Sequence, residues 1–338
     1  MLCSARRRNA KWMSSRLLVI AAMMIHGGGC NMKRDDTAQE RKIAEFLTRS
    51  DLWFRQDTAG HIVEVSLSGA DNVDDTVQEL AVFRQLRSVS CSRSDLSDRG
   101  LEFLAQIESL EELNLESTRT TADGLLHLQK LRRLRHLCAN PQANGDTAVY
   151  HLSSLASLRD LTLSHSQLSD ASLEHVSKLA DLERLDVGMI RGFTSGGVRH
   201  LSSLQRLQCL VIDEIDDDGL AAIAQIAGMK RLYVSGLRIT DEGCRLVGRL
   251  AQLTSLSLSE TSVTDRGVEC LRGLTELESL FLADTAVTDN VFSVASTLPK
   301  LDYLSLLNTQ TTSKGVQRLK AALPNCSVNF GPGKRPQW

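Results

Sequence analysis

Apolar residues recur along most of the chain in the order L-x-x-L-x-L, with a spacing close to 24 residues. In the segment 253–289, Leu253 and Leu256 are followed 24 residues later by Leu277 and Leu280. A constant period of this length indicates a solenoid, in which similar units stack on one another. Nine of the eleven intervals are 24 residues, and the centres of the pattern are Val65, Val89, Leu113, Leu137, Leu161, Leu185, Leu210, Leu232, Leu256, Leu280, Leu304 and Val328.

Each repeat predicts a strand followed by a helix. Leu256 and Leu258 are two residues apart, which is the period of a strand with one buried face, whereas Val268, Leu271 and Leu274 have helical spacing. A hydroxyl residue stands where each helix needs an N-cap, and the aspartate after it is favoured by the helix dipole. The predicted caps are Ser97, Thr121, Ser169, Thr240, Thr264, Thr288 and Thr312.

These motifs resemble the leucine-rich repeat family from about residue 62 to residue 330. The resemblance implies an α/β solenoid of horseshoe shape, with a parallel β-sheet on the concave face and helices on the convex face. The T-D-x-G motif looks closest to 24-residue bacterial repeats, which in turn resemble the repeats of F-box proteins. Where many members have Asn or Cys after the strand, this chain has a hydroxyl that can bond the turn backbone: Ser94, Thr118, Ser166, Thr261, Thr285 and Thr309.

The N-terminus predicts export. Residues 1–29 have a basic start and a nine-residue apolar run, too short to span a bilayer but suited to a signal peptide. Gly28 and Gly29 before Cys30 resemble a lipoprotein cleavage motif, although Gly27 stands where the motif prefers Leu. The resemblance implies that Cys30 is lipidated and anchors the chain at the cell envelope or periplasm. Simple secretion, and a start at Met13, stay open.

The remaining domain boundaries follow from composition and from the repeat. Residues 30–36 are a polar tether, 37–61 an N-terminal cap, 62–330 the repeat domain and 331–338 a disordered tail. Within the cap, Ile43, Phe46 and Leu47 are expected on one helical face. Without the five basic residues of segment 1–29, 34 basic and 41 acidic residues give a formal charge of about −7, which argues against nucleic-acid binding.

No catalytic motif is found, so an enzyme and a cofactor are not expected. Cys91 and Cys244 occupy core positions and are predicted to be buried. A metal ladder is rejected because neighbouring helices are too far apart to share one ion, and half-buried structural histidines are expected instead. The histidines at one helix position are His127, His151, His175 and His200.

Solenoids bind partners through the variable residues of their sheet. Beside the strand centres, aromatic residues interrupt a serine-rich C-terminal half, and aromatic side chains in a polar surrounding are typical of binding hot spots. The predicted partner-binding residues are Tyr233, Phe281, Tyr303, Arg231, Arg184 and Asp186. We therefore expect a monomeric, non-catalytic protein-interaction or scaffold module. The alternatives are a ubiquitin-ligase adaptor of F-box type and a Ca²⁺-dependent envelope module based on the acidic segment 213–218.

Overall fold

The computed structural model describes residues 34–141 and 143–332. The predicted signal peptide 1–29, Cys30 and most of the predicted tail therefore lie outside the described residues. Two compact units are distinguished, residues 1–42 and residues 43–338. In the first unit, the described residues belong to helix α1 (Arg34–Arg49), whose last turns belong to the second. None of the helices in the described ranges is long and apolar enough to cross a membrane.

The second unit carries a sheet of thirteen strands that neighbour one another in chain order. Strand β1 is antiparallel to β2, and all later neighbours are parallel. The strands are β1 (Trp53–Gln56), β2 (Ile62–Ser66), β3 (Ser88–Ser90), β4 (Glu112–Asn114), β5 (His136–Cys138), β6 (Asp160–Thr162), β7 (Arg184–Val187), β8 (Cys209–Ile212), β9 (Arg231–Val234), β10 (Ser255–Ser257), β11 (Ser279–Phe281), β12 (Tyr303–Leu307) and β13 (Ser327–Gly331).

A helix follows almost every strand and returns the chain to the start of the next one. Short 3₁₀ helices replace or extend three of them, at Gly124–Lys130, Arg199–Ser203 and Cys270–Gly273. The α-helices after α1 are α2 (Val73–Leu80), α3 (Asp98–Leu104), α4 (Gly145–Leu152), α5 (Asp170–Val176), α6 (Ser195–Val198), α7 (Asp217–Ile223), α8 (Asp241–Val247), α9 (Asp265–Glu269), α10 (Val291–Ala295) and α11 (Ser313–Ala322).

The predicted register is confirmed, since the twelve centres from Val65 to Val328 pair consecutively across the sheet. They form one leucine-rich core with the helix residues, as the leucine-rich repeat solenoid requires. Cys91 and Cys244 are both buried in this core, and burial raises the pKa of each thiol. At the C-terminal end the centre Val328 is only half-buried, and β13 extends to Gly331, the first residue of the predicted tail.

Two predictions of burial were wrong. In α1 the buried stripe is formed by Ile43, Ala44 and Leu47, whereas Phe46 is 47% exposed. Ile43 and Leu47 lie one turn apart on the same face of the helix, with Ala44 to one side of them and Phe46 to the other. The core covers the side of Ala44, so Phe46 points away from it. His200 is exposed although the other three histidines of its series are half-buried. His127 also lies in a 3₁₀ helix and is half-buried, so the helix type alone does not account for this difference.

The hydroxyl residues after the strands close their turns as predicted, with one exception. Thr261 is buried and donates to the carbonyl oxygen of Leu258 at 2.6 Å, three residues back. The Ser166 hydroxyl is buried and has no hydrogen-bond partner among the described residues. The residues that make the same bond as Thr261 are Ser94, Thr118, Thr285 and Thr309.

The aspartate of the T-D-x-G motif connects consecutive repeats, a contact that the pattern within a single repeat does not predict. The Asp241 carboxylate accepts the backbone N–H of Thr264 at 2.8 Å and its hydroxyl at 2.7 Å. Thr264 in turn caps α9 by accepting from the N–H of Arg266. The other bridges join Asp74 to Ser97, Asp98 to Thr121, Asp146 to Ser169, Asp170 to Thr194, Asp217 to Thr240, Asp265 to Thr288 and Asp289 to Thr312.

The glycine of the same motif makes room for this bridge. A methyl group on Gly315 would overlap the carboxylate of Asp289 from the preceding repeat, and one on Gly267 would overlap Asp241. The glycine therefore permits the close approach of two repeats. Where Ser172 stands at this position instead, its buried hydroxyl donates to the carboxylate of Asp146. The T-D-x-G motif is thus a device that fixes how one repeat sits on the next.

Candidate functional site

The residues beside each strand centre share the open face of the sheet, because successive side chains of a strand point to opposite faces. The centres themselves are buried on the helix side. In neighbouring strands these flanking residues align in rows, such as Arg231, Ser255 and Ser279, or Tyr233, Ser257 and Phe281. We call this surface the sheet face.

Three aromatic rings meet on the sheet face. The ring centroids of Tyr233 and Phe281 are 6.3 Å apart, and those of Phe281 and Tyr303 are 5.2 Å apart. Both distances are within the range of favourable aromatic pairs. The small Ser257 lies between Tyr233 and Phe281 in the register, so two rings two strands apart can approach each other. We call Tyr233, Phe281 and Tyr303 the aromatic cluster.

Small hydroxyl residues surround the aromatic cluster. Ser255 and Ser305 are buried, while all three aromatic side chains are half-buried. The Tyr233 hydroxyl donates to Ser255 Oγ at 3.0 Å, which fixes the orientation of that ring. The cluster is therefore preorganised, with apolar ring area still accessible above a surface of short polar side chains.

Of the three predicted charged residues, one side chain is exposed and the other two form an ion pair with each other. Arg231 is exposed and precedes Tyr233 by two residues in β9. Arg184 and Asp186 in β7 are 20% and 12% exposed at their side chains and form an ion pair at 3.5 Å. Asp186 also accepts the hydroxyl of Ser164 at 2.7 Å. Only Arg231 thus presents its charge beside the aromatic cluster, and Asp186 has a mainly structural environment.

A charged network continues the sheet face toward the N-terminal repeats. Asp160 lies 3.4 Å from Arg184 Nε and 3.8 Å from His136 Nδ1. The hydrogen bond to Asp160 raises the pKa of His136, although partial burial opposes this shift. The network therefore favours the charged imidazolium of His136. Along the sheet face, the side chains thus change from mixed charges in β5–β7 to aromatic and hydroxyl groups in β9–β12.

The acidic segment that suggested Ca²⁺ uses its carboxylates within the fold. Asp213 accepts from the backbone N–H of Met189 and from the Ser235 hydroxyl, both at 2.8 Å. Asp216 caps α7, and Asp217 bridges to Thr240. Among the residues that the structure describes, no group of three or more His, Cys, Asp or Glu side chains could hold a metal ion.

The fold places this chain beside solved bacterial leucine-rich repeat structures. It matches an internalin (inlF) from Listeria monocytogenes with a TM-score of 0.57 and 17% identity, over 89% of this chain and 95% of that one. It also matches the leucine-rich repeat protein LIC12759 from Leptospira interrogans with a TM-score of 0.43 and 16% identity, over 79% and 90%. No family model and no curated protein matches the sequence. At this identity the likeness concerns the fold.

Proposed function

We propose that this protein is a non-catalytic interaction module that binds a protein partner on its sheet face, centred on the aromatic cluster. The observation that carries the proposal is the contact of Tyr233, Phe281 and Tyr303 across four strands. Tyrosine and phenylalanine rings give large contact areas at a low cost in conformational entropy. Arg231 beside them favours a partner that offers an apolar side chain next to a carboxylate.

Alanine at Phe281 or at Tyr303 should each weaken partner binding by about 2 kcal/mol, roughly 30-fold, because truncating a packed aromatic anchor has effects of this size. The partner can be isolated by affinity capture with the full chain from cell-envelope extract, and its affinity measured by calorimetry. A capture that succeeds with wild type and fails with the Phe281→Ala, Tyr303→Ala double variant would support the site.

The matched control for this experiment is Tyr150→Ala. Tyr150 is an aromatic residue that is 56% exposed in α4, on the helices and away from the sheet face. Its removal should leave the affinity within about 0.5 kcal/mol of wild type, as for other surface substitutions. Equal affinities for wild type and the Phe281→Ala, Tyr303→Ala variant would place the partner elsewhere and contradict the proposal.

We also propose that the module acts at the bacterial cell envelope, anchored through a lipidated Cys30. The support is the basic and then apolar pattern of residues 1–29 before Gly28, Gly29 and Cys30. Metabolic labelling with a fatty-acid probe should mark the wild type in the membrane fraction, and Cys30→Ala should abolish the mark. An unlabelled wild type released in soluble form would contradict the anchor.

A further inference from the structure

A cavity of about 500 Å³ lies at the edge of the sheet where the strands begin. It is formed by the turns that precede β3, β4 and β5, and its walls include the buried residues Phe83 and Ile107. Its volume is within the usual range for small-molecule sites. We call it the basic cavity because its charged lining residues are Arg84, Lys130, Arg132, Arg133 and a single acid, Glu108.

Three of the cations in the basic cavity lack partners in the part of the chain that the structure describes. Lys130, Arg132 and Arg133 are exposed and form no ion pair or side-chain hydrogen bond there. At the register position of Arg133, the basic residues of later repeats are paired: Arg206 contacts Asp181 at 2.7 Å, and Lys300 contacts Glu276 at 2.6 Å. At this position, Arg133 therefore keeps a positive charge that Arg206 and Lys300 share with a carboxylate.

The chemistry of the lining selects for a phosphate group. Guanidinium groups present fixed forks of N–H donors that match phosphate oxygens, and Lys130 adds a point charge beside them. Lys130, Arg132 and Arg133 place three positive charges on the walls, which fits a ligand with two or three negative charges. We propose that the basic cavity binds the phosphate group of a phosphorylated ligand, independently of the partner site on the sheet face.

Calorimetric titration of the full chain with inorganic pyrophosphate at low ionic strength tests this site. Saturable binding is expected, and the Arg132→Glu, Arg133→Glu double variant should weaken it by about tenfold or more, since charge-assisted hydrogen bonds to two guanidinium groups are lost. A parallel flotation assay uses phosphatidylglycerol vesicles and phosphatidylcholine vesicles. Binding to pyrophosphate indicates a free phosphorylated ligand, and binding to phosphatidylglycerol vesicles alone indicates a lipid headgroup.

The control is Arg206→Glu, which repeats the Arg133→Glu half of this change at the same register position outside the cavity. It should leave binding unchanged. The neutral Arg132→Gln, Arg133→Gln variant keeps the test valid if charge reversal perturbs folding, which circular dichroism would show. Absence of binding to pyrophosphate and to both vesicle types, an equal loss in Arg206→Glu, or equal affinity for citrate, a polyanion without phosphate, would overturn the proposal.

Discussion

Replacing Gly315 by alanine should destabilise the protein by about 2 kcal/mol, because an added methyl group overlaps the Asp289 carboxylate. The sign of the change in the free energy of unfolding is informative, since glycine inside an ordinary helix destabilises the protein relative to alanine by roughly 0.5–1 kcal/mol. Gly315 lies in the first turn of α11, where helix propensity alone predicts stabilisation. Urea denaturation followed by circular dichroism measures the difference.

A double-mutant cycle separates the steric effect from the loss of the bridge. Asp289→Ala leaves the backbone N–H and the hydroxyl of Thr312 without their acceptors, which should cost about 1–3 kcal/mol. The same change removes the atoms that the new methyl group would meet. Gly315→Ala combined with Asp289→Ala should therefore cost at least about 1 kcal/mol less than the sum of the single changes.

The chain contains a natural replacement of the aspartate in one repeat and of the glycine in others. Ala122 replaces the bridging aspartate of its repeat, and Ala148 stands at the glycine position of the next repeat, where it is buried without conflict. Val291 occupies the glycine position beside Asp265, and there α10 begins at Val291 rather than at Asp289, the position that the period predicts. The absence of the aspartate thus permits an apolar side chain, and beside Asp265 the larger valine accompanies a helix that begins two residues later.

Gly273→Ala is the control for the Gly315 cycle. A methyl group there meets only the backbone oxygen of Gly248, at 4.0 Å. This change should be neutral or slightly stabilising. If Gly315→Ala behaves like Gly273→Ala, or if the double variant loses the full sum of both single changes, the aspartate and the glycine are not coupled and this account of the T-D-x-G motif is wrong.

The sheet register was predictable from the sequence because a shift by one residue would move every leucine to the wrong face. Most caps were predictable since a hydroxyl before a helix has one dominant role, and Thr240, Thr264 and Thr312 fill it. Thr121 and Thr288 were predicted wrongly, because the elements after them begin later and have Asp123 and Asn290 at the N-cap position. The aspartate bridge was missed for a related reason. The helix dipole already explains an aspartate in the first turn of a helix. Nothing within a single repeat therefore indicated that this aspartate also contacts the cap residue of the next repeat, 23 residues away.

The candidate site was only partly predictable. The row positions of Tyr233, Phe281 and Tyr303 follow from the period, and so does their proximity, because parallel strands lie about 4.8 Å apart. The burial of Asp186 does not follow, since it depends on contacts with Arg184 in the same strand and with Ser164 in the turn after β6. The basic cavity was also missed, because it belongs to three turns whose spacing depends on the helices beside them.

Truncating Leu256 to alanine should cost about 2–5 kcal/mol, which is a large part of the stability of a typical domain. Leu256 is fully buried at the centre of β10, and its register partners Leu232 and Leu280 are fully buried on both sides. The cavity cannot collapse easily because stacked repeats on either side hold the neighbouring strands at a fixed spacing. Urea denaturation should show a lower midpoint with an unchanged slope, since the surface exposed on unfolding stays the same.

The same deletion at Leu237 controls for the chemistry of the substitution. Leu237 is 74% exposed in the loop after β9, so its replacement by alanine should change stability by less than about 0.5 kcal/mol. The contrast isolates the contribution of stacking, because both variants lose identical atoms. If Leu256→Ala unfolded at the same urea concentration as Leu237→Ala, the strand centres would not form a closely packed core. A reduced slope for Leu256→Ala alone would instead show that the repeats on its two sides unfold separately, as a one-dimensional stack does when one interface is weakened.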